Sequence, residues 1–359
     1  MWPGTLIGGK LRGQGTYGCV FQPPLLCRGR SDSDTDTRRV GKITSRLDGY
    51  NEIAIAKYLN KLPESSKYVI IPEETPCIPR SRSKQVDSTI EQCRFSDDKP
   101  LESTIQLIMP WGGYPLSQLN LDPHIFDFFR FMEELLTAGT FLILNDICHF
   151  DIWGSNILFG NNNTPKIIDF GFAFRPSKFT EADLKLRWRE FGSEFDTESP
   201  EVTLMHATIK NIPLSSICTF MQNSLTLQKL AIVCDILPSD WVKNVYQWSQ
   251  ESHSFQEEDW VSCWKLYWPG FDAWAFGVLL VDILEIQLSK PYFIESNKWK
   301  SQGHIIKKII CGLCSGHPAY RLDAAEALSI LTNGSNPLIS AGSVGERWIQ
   351  EKKAKRPQL

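Results

Sequence analysis

The sequence lacks several features that would assign it to a specialised class of protein. It has no large excess of either charge, because 38 basic and 41 acidic residues leave a formal net charge of -3. Neither nucleic acid nor an anionic membrane is therefore expected as a partner. It has no apolar run typical of a signal peptide, and its most apolar segment, FGVLLVDILEI, is short and contains Asp282. We expect a soluble protein.

The sequence also lacks a dense cysteine framework, an internal repeat and any low-complexity segment. Its ten cysteines are scattered along 359 residues. Cys311 and Cys314 form a CxxC pair, but such a pair alone lacks the second half of a zinc site. We therefore predict reduced thiols and an intracellular location.

What the sequence does contain indicates an α+β organisation. Short β-like segments fill most of the first hundred residues and are interrupted by one helix, DGYNEIAIAKYLNKLP. Helical patterns dominate after WGGYPL. The pattern predicts a small β-rich part over residues 1–109, a larger helical part over 110–345, and a basic, frayed tail over 346–359.

A glycine motif lies between the first two predicted strands. Gly13, Gly15 and Gly18 form GxGxxG and are followed by Val20. Glycines let backbone N–H groups approach phosphate oxygens without a Cβ in the way. An ordinary glycine-rich hairpin turn is the alternative interpretation. The position between two strands disfavours a dinucleotide-binding fingerprint and favours a hairpin that covers phosphates.

A candidate phosphate-binding cation follows in the next predicted strand. Lys42 lies in RRVGKI, and the alternative is a solvated surface lysine. Glu52 is the candidate partner, and the interval of ten residues predicts that it lies in the first turn of the following helix. Glu64, Glu73 and Glu74 fall outside the helical pattern and are poorer candidates.

The strongest signal is HFDIWGSNILF followed by KIIDFGFAF. Asp151 and Asn156 are five residues apart, and Asp169 follows 18 residues after Asp151. Phosphate transfer to a hydroxyl requires a carboxylate that accepts the proton and oxygen ligands for Mg²⁺. DFG alone is compatible with a turn after a strand, but its combination with HxDxxxxN at this interval is specific.

These motifs resemble those of the eukaryotic-type protein kinase family, and the resemblance continues downstream. SPE, which ends at Glu201, is similar to the APE motif of the family, and DAWAFG, which begins at Asp272, matches its DxWxxG. HPAYRLDAAEAL resembles the late segment whose arginine, here Arg321, pairs with the APE glutamate. The resemblance covers about residues 11–331. The opening GGKLRGQGTYGCVF and the large insertions are also similar to kinases of large DNA viruses.

The resemblance implies a bilobal kinase fold, with a β-rich N-lobe and a helical C-lobe that bind ATP and Mg²⁺ between them. It implies transfer of the γ-phosphate to serine or threonine of protein substrates in the cytoplasm, in a host cell if the chain is viral. Asp151 is then the base, Asn156 and Asp169 hold magnesium, and a hinge runs near Met109–Gly112. The remaining nucleotide-binding residues are Gly13, Gly15, Gly18, Val20, Val40, Lys42, Glu52, Met109 and Leu158.

The sequence departs from the family at several points, and other functions stay open. Phe150 replaces an arginine that commonly receives an activating phosphate, and Trp153 replaces a lysine near the transferred phosphate. An insertion at about 204–265 is either a structural embellishment or a docking surface for a partner. The alternatives to an active protein kinase are an ATP-binding pseudokinase scaffold and a small-molecule kinase of the choline or aminoglycoside type.

Overall fold

The computed structural model describes residues 9–30, 36–85, 88–97, 99–160, 164–188 and 197–356. The chain divides into two compact units, one of Met1–Gly113 with Lys166–Ala173 and one of Tyr114–Pro165 with Phe174–Leu359. The first unit contains a small antiparallel sheet and the second is mostly helical. The predicted α+β class is confirmed at this level.

The first unit is built on a four-stranded sheet in the order β1-β2-β3-β4. Each neighbouring pair is antiparallel. Strand β2 alternates buried and half-buried residues, and Cys19 and Phe21 point into the core, as expected for a sheet with one covered face. The strands are β1 (Lys10–Gly15), β2 (Gly18–Gln22), β3 (Arg39–Thr44) and β4 (Ile105–Pro110).

Helix α1 (Arg46–Leu59) follows β3 directly. Its N-cap residue Ser45 accepts a hydrogen bond from the Asp48 amide at 3.1 Å, which satisfies one of the open N–H groups of the first turn. Ile53, Ala56 and Leu59 recur at helical spacing and are buried. This spacing fixes which face of the helix packs on the core.

Six of the ten cysteines form disulfides, so the prediction of reduced thiols is wrong for these six. The bonds join Cys19 to Cys93, Cys27 to Cys77 and Cys234 to Cys311 across 50 to 77 residues of sequence. Their Cα atoms lie 5.6–6.0 Å apart, within the usual range for a disulfide. The paired cysteines are far apart in the sequence, so the sequence did not indicate that they lie close together in space. Disulfides persist mainly in oxidising compartments, so these bonds do not support the cytoplasmic expectation.

The second unit begins with a short strand pair and a long helix. Strand β5 (Tyr114–Pro115) pairs antiparallel with β6 (Ile157–Phe159), and β7 (Pro165–Ile167) follows β6 in the chain. Helix α2 (Phe128–Leu144) is capped by Asp127, whose carboxylate accepts from the amides of residues 129 and 130 at 3.1 Å. Helix α2 packs against three later helices, one of which is buried on most sides.

The helices that follow are numbered in chain order. Most of the predicted insertion at 204–265 is helical, as its sequence pattern predicts. No helix in the described part of the chain is long and apolar enough to cross a membrane. The helices are α3 (Glu181–Arg187), α4 (Pro200–Ile209), α5 (Leu214–Gln222), α6 (Leu225–Cys234), α7 (Pro238–Glu251), α8 (His253–Gln256), α9 (Trp260–Tyr267), α10 (Pro269–Leu288), α11 (Pro291–Ile294), α12 (Asn297–Leu313), α13 (Ala324–Thr332) and α14 (Val344–Lys355).

The tail predicted to be frayed is helical over most of its length. Helix α14 spans Val344–Lys355, and its N-cap Ser343 accepts a hydrogen bond from the Glu346 amide. Residues 357–359 lie outside the described residues. The basic composition that suggested a frayed end instead supplies partners for buried acids of α13, as described below.

Candidate functional site

The glycine motif lies in the hairpin formed by β1 and β2, as its sequence context predicts. Gly15 and Gly18 face each other across the turn. A Cβ at Gly13 or Gly15 would meet no heavy atom within 4 Å, whereas a Cβ at Gly18 would collide with the carbonyl of Ile43. Gly18 is therefore required by packing. The first two glycines leave the backbone of the hairpin uncovered, as a phosphate-binding loop requires.

Lys42 forms the centre of a charged triad in the first unit. Its Nζ donates to Glu52 Oε2 at 2.8 Å and to Asp169 Oδ1 at 2.6 Å. The residues lie on β3, on α1 and after β7, and their sequence separations from Lys42 are 10 and 127 residues. Glu52 is in the second turn of α1, so its predicted place in the first turn is wrong, while its pairing with Lys42 is present.

Burial governs the charges of this triad. The Lys42 side chain is 11% exposed and that of Glu52 is 2% exposed. Burial lowers the pKa of Lys42, but the Asp169 and Glu52 carboxylates outweigh it, so the net pKa is raised and the ammonium stays charged. Burial raises the pKa of Glu52 to about 6, despite the opposing effect of Lys42. The triad therefore presents one fixed cation beside two carboxylates.

Asp169 adopts a strained backbone conformation. Its φ is 66°, in the left-handed region that a non-glycine residue rarely occupies. Such a conformation costs about 1–3 kcal/mol and persists where surrounding contacts impose it. Its hydrogen bond to Lys42 is one such contact. Nearby in the chain, the Phe172 ring packs edge-on to Tyr17 in the glycine hairpin, with centroids 5.1 Å apart.

Asp151 and Asn156 form a second polar group, in the second unit. The Asn156 carboxamide donates through Nδ2 to the backbone carbonyl of Asp151 at 2.8 Å and to Asp151 Oδ2 at 2.9 Å. Asn156 is 6% exposed and ends a short 3-10 turn, Gly154–Asn156. The amide nitrogen therefore fixes the carboxylate. No described residue donates a hydrogen bond to the side-chain oxygen of Asn156. A hard cation can bind an oxygen of this type.

Asp272 holds the start of this loop. It belongs to the DxWxxG motif, which did not predict a contact with the loop. Asp272 accepts from the His149 amide at 2.6 Å and from the Phe150 amide at 2.8 Å. Asp272 is 5% exposed, and burial raises its pKa. It stands in the first turn of α10, where a carboxylate is stabilised by the helix dipole. The DxWxxG match was the sequence signal for this residue.

Phe150 has φ 62° and lies in a cluster of aromatic side chains. Its ring centroid is 4.7 Å from that of Trp264, 5.8 Å from Phe271 and 6.1 Å from Phe174. The position that carries an arginine in the resembled family is thus part of a hydrophobic core here. Trp153, the other departure, is 47% exposed.

The residues predicted to contact adenine are distributed over both units. Val20 lies on β2, and Val40 on β3 faces Met109 on β4 in the antiparallel register. Met109 lies in β4, which ends at Pro110, and the first unit continues to Gly113 before the chain enters the second, so the hinge near Met109–Gly112 stays a prediction. Leu158 lies on β6 opposite Pro115 and is half-buried.

The described residues contain no cluster of three or more His, Cys, Asp or Glu side chains that could bind a metal ion. The predicted magnesium ligands, Asn156 and Asp169, are one carboxamide and one carboxylate, and each lies in a different unit. Each side chain offers an oxygen donor of the kind that Mg²⁺ prefers, so the donor chemistry of each residue fits a hard cation.

Comparison with known proteins gives no independent assignment. No protein-family model matches the chain, and no curated protein matches it.

Proposed function

We propose that the chain is a magnesium-dependent protein kinase with a bilobal kinase fold, which transfers the γ-phosphate of ATP to serine or threonine of other proteins. The observation that carries the proposal is the triad of Lys42, Glu52 and Asp169. The three residues lie in separate segments of the sequence, and both carboxylates lie within hydrogen-bonding distance of Lys42 Nζ. A solvated surface lysine would not be 11% exposed and held by two carboxylates.

In the proposed reaction, each residue has a distinct task. Lys42, oriented by Glu52, binds the α- and β-phosphates, and the backbone of the glycine hairpin covers them. Asp169 and Asn156 provide oxygen ligands for magnesium, which when bound neutralises the charge of the phosphates. Asp151 accepts the proton of the attacking hydroxyl. Asn156 holds the Asp151 carboxylate through its amide nitrogen, so the base is oriented before a substrate arrives.

Two other functions remain as alternatives. A pseudokinase scaffold would keep nucleotide binding without transfer, and Phe150 and Trp153 favour it. The intact Lys42, Asp151, Asn156 and Asp169 set disfavours it. A small-molecule kinase would share HxDxxxxN, but the SPE and DAWAFG segments favour a protein substrate.

Transfer of radiolabelled phosphate from ATP to a panel of protein substrates, followed by phosphoamino-acid analysis, tests the proposal. Wild type should label serine or threonine only when magnesium is present. Asp151→Asn should abolish labelling and retain Mg-ATP affinity, because the residue meets the hydroxyl and not the nucleotide. Asp169→Ala should weaken Mg-dependent nucleotide binding. Normal turnover by Asp151→Asn would exclude this residue as the base, and binding without transfer by wild type would favour the scaffold.

A further inference from the structure

We propose that Trp264, in the inserted helical region, is a positioning residue for the Asp151 loop. The inference rests on the proposed function, in which Asp151 is the base. It gives the 204–265 insertion a role inside the protein, distinct from embellishment or partner docking.

The loop that precedes Asp151 is held from two sides by neighbouring helices. Asp272 on α10 accepts the amide hydrogens of His149 and Phe150. Trp264 on α9 packs its ring against the Phe150 ring at 4.7 Å. Helices α9 and α10 are separated by a single residue, Trp268. The hydrogen bond to the Phe150 amide and the packing on the Phe150 ring therefore both come from one short stretch of chain, which contains Trp264 and Asp272.

The side-chain support matters because Phe150 has an unfavourable backbone. With φ 62°, it occupies a region that a bulky residue enters only under constraint. The conformation of residue 150 sets the direction in which the next residue, Asp151, leaves the loop. Hydrogen bonds that the amides donate to Asp272 hold the backbone, but only packing can hold the ring. Trp264 is fully buried, and its ring centroid lies 4.7 Å from that of Phe150.

Trp264 also binds the segment that follows residue 173. Its ring stacks on Phe179 with centroids 5.0 Å apart and an interplanar angle of 8°, and it lies 5.4 Å from Phe174. Phe174 exchanges backbone hydrogen bonds with Cys148, which immediately precedes His149. One indole ring thus connects the two stretches of chain that flank the Asp151 loop within this unit.

The insertion offers a matched control in Trp248. This tryptophan on α7 is 1% exposed and packs on Phe255 of α8 and on Tyr267 at the end of α9. Like Trp264, its indole N–H is buried and finds no hydrogen-bond partner among the described residues. The two residues therefore match in size, burial and polar environment and differ in whether they contact Phe150.

The experiment compares Trp264→Ala, Trp264→Phe and Trp248→Ala in the full chain. It measures kcat, KM for ATP, thermal stability, and hydrogen exchange at the amides of residues 149 and 150. Trp264→Ala should lower kcat by about tenfold or more with KM for ATP nearly unchanged, since misplaced catalytic groups lose rate. Exchange at both amides should accelerate. Trp264→Phe keeps a ring and should restore both properties.

Trp248→Ala should lower the melting temperature comparably and leave kcat and the two amides unchanged. Equal effects of the two alanine variants on kcat and exchange would overturn the proposal. If Trp264→Ala does not fold, Phe150→Leu removes the other ring of the contact and must accelerate exchange at these amides; unchanged exchange would refute the role. Absence of phosphate transfer by wild type would refute the proposed function. The exchange measurement does not depend on transfer and would still test whether Trp264 supports the loop.

Discussion

The guanidinium of Arg321 forms a two-pronged ion pair with the carboxylate of Glu201. Nη1 lies 2.6 Å from Oε1 and Nη2 lies 2.8 Å from Oε2, and both side chains are fully buried. Arg321 also donates to the carbonyls of Gly270 and Ser315 at 3.0 and 2.9 Å. The pairing predicted from the SPE and late-segment motifs is confirmed. It joins α4 to the segment before α13.

Removal of either partner should be costly, because the other charge would stay buried without compensation. Arg321→Ala should lower the free energy of unfolding by about 3–5 kcal/mol and the melting temperature by several degrees. The matched control is Arg130→Ala, which breaks the exposed pair with Glu134 on one face of α2 and should change stability little. Similar melting temperatures for the two variants would contradict the structural importance of the buried pair.

The pKa of Glu52 gives a prediction about pH. Burial raises this pKa from 4.5 to about 6, so the folded protein keeps the proton to a higher pH than the unfolded chain. The contribution of this group to stability is therefore present below about pH 4.5 and is lost as the pH rises through 6. In the variant Glu52→Gln the side chain cannot ionise, so the free energy of unfolding does not fall for this reason as the pH rises.

The difference in unfolding free energy between Glu52→Gln and wild type should therefore shift in favour of the variant by about 2 kcal/mol from pH 4.5 to pH 7. Chemical denaturation at a series of pH values measures it, and titrating groups that do not interact with Glu52 cancel in the difference. A difference that is independent of pH would show that Glu52 has an ordinary pKa.

Trp153 is half-exposed, so replacement should not disturb the core. We expect Trp153→Lys to leave the melting temperature unchanged and to raise phosphate transfer by less than tenfold, because an active enzyme already has a cation for the transferred phosphate. A gain of tenfold or more, equivalent to about 1.4 kcal/mol of barrier, would show that wild type lacks this cation. A parallel fall of rate and stability would mean that the indole supports the loop.

Helix α14 should contribute to stability through Lys352. Its ammonium lies 2.9 Å from Asp323 and 2.8 Å from Glu326, whose side chains are 0% and 2% exposed. Lys352→Ala should lower the free energy of unfolding by about 2 kcal/mol, because the two buried acids lose a shared counter-charge. Lys353→Ala, one position along and fully solvated, should have little effect. Equal thermal stability of both variants would contradict a stabilising contact.

The sequence predicted those features that are encoded within short segments. The β1–β2 hairpin, α1 and the Lys42–Glu52 contact follow from local patterns that span at most 14 residues. The packing of Trp264 on Phe150 could not be predicted, because it joins residues 114 positions apart and aromatic residues carry no signal of their partner. The disulfides were missed for the same reason. Asp272 was located by its motif, but its contact with the Asp151 loop is visible only in three dimensions.

The bond between Cys27 and Cys77 lies inside the loop that is closed by Cys19 and Cys93. Any single backbone cut between Cys27 and Cys77 would therefore leave two fragments joined by two covalent cross-links. A protease-nicked molecule of this kind would migrate as one band on a denaturing gel without reductant, and separate into two when a thiol is added. Mobility on a gel without reductant would thus conceal such damage in the β-rich unit.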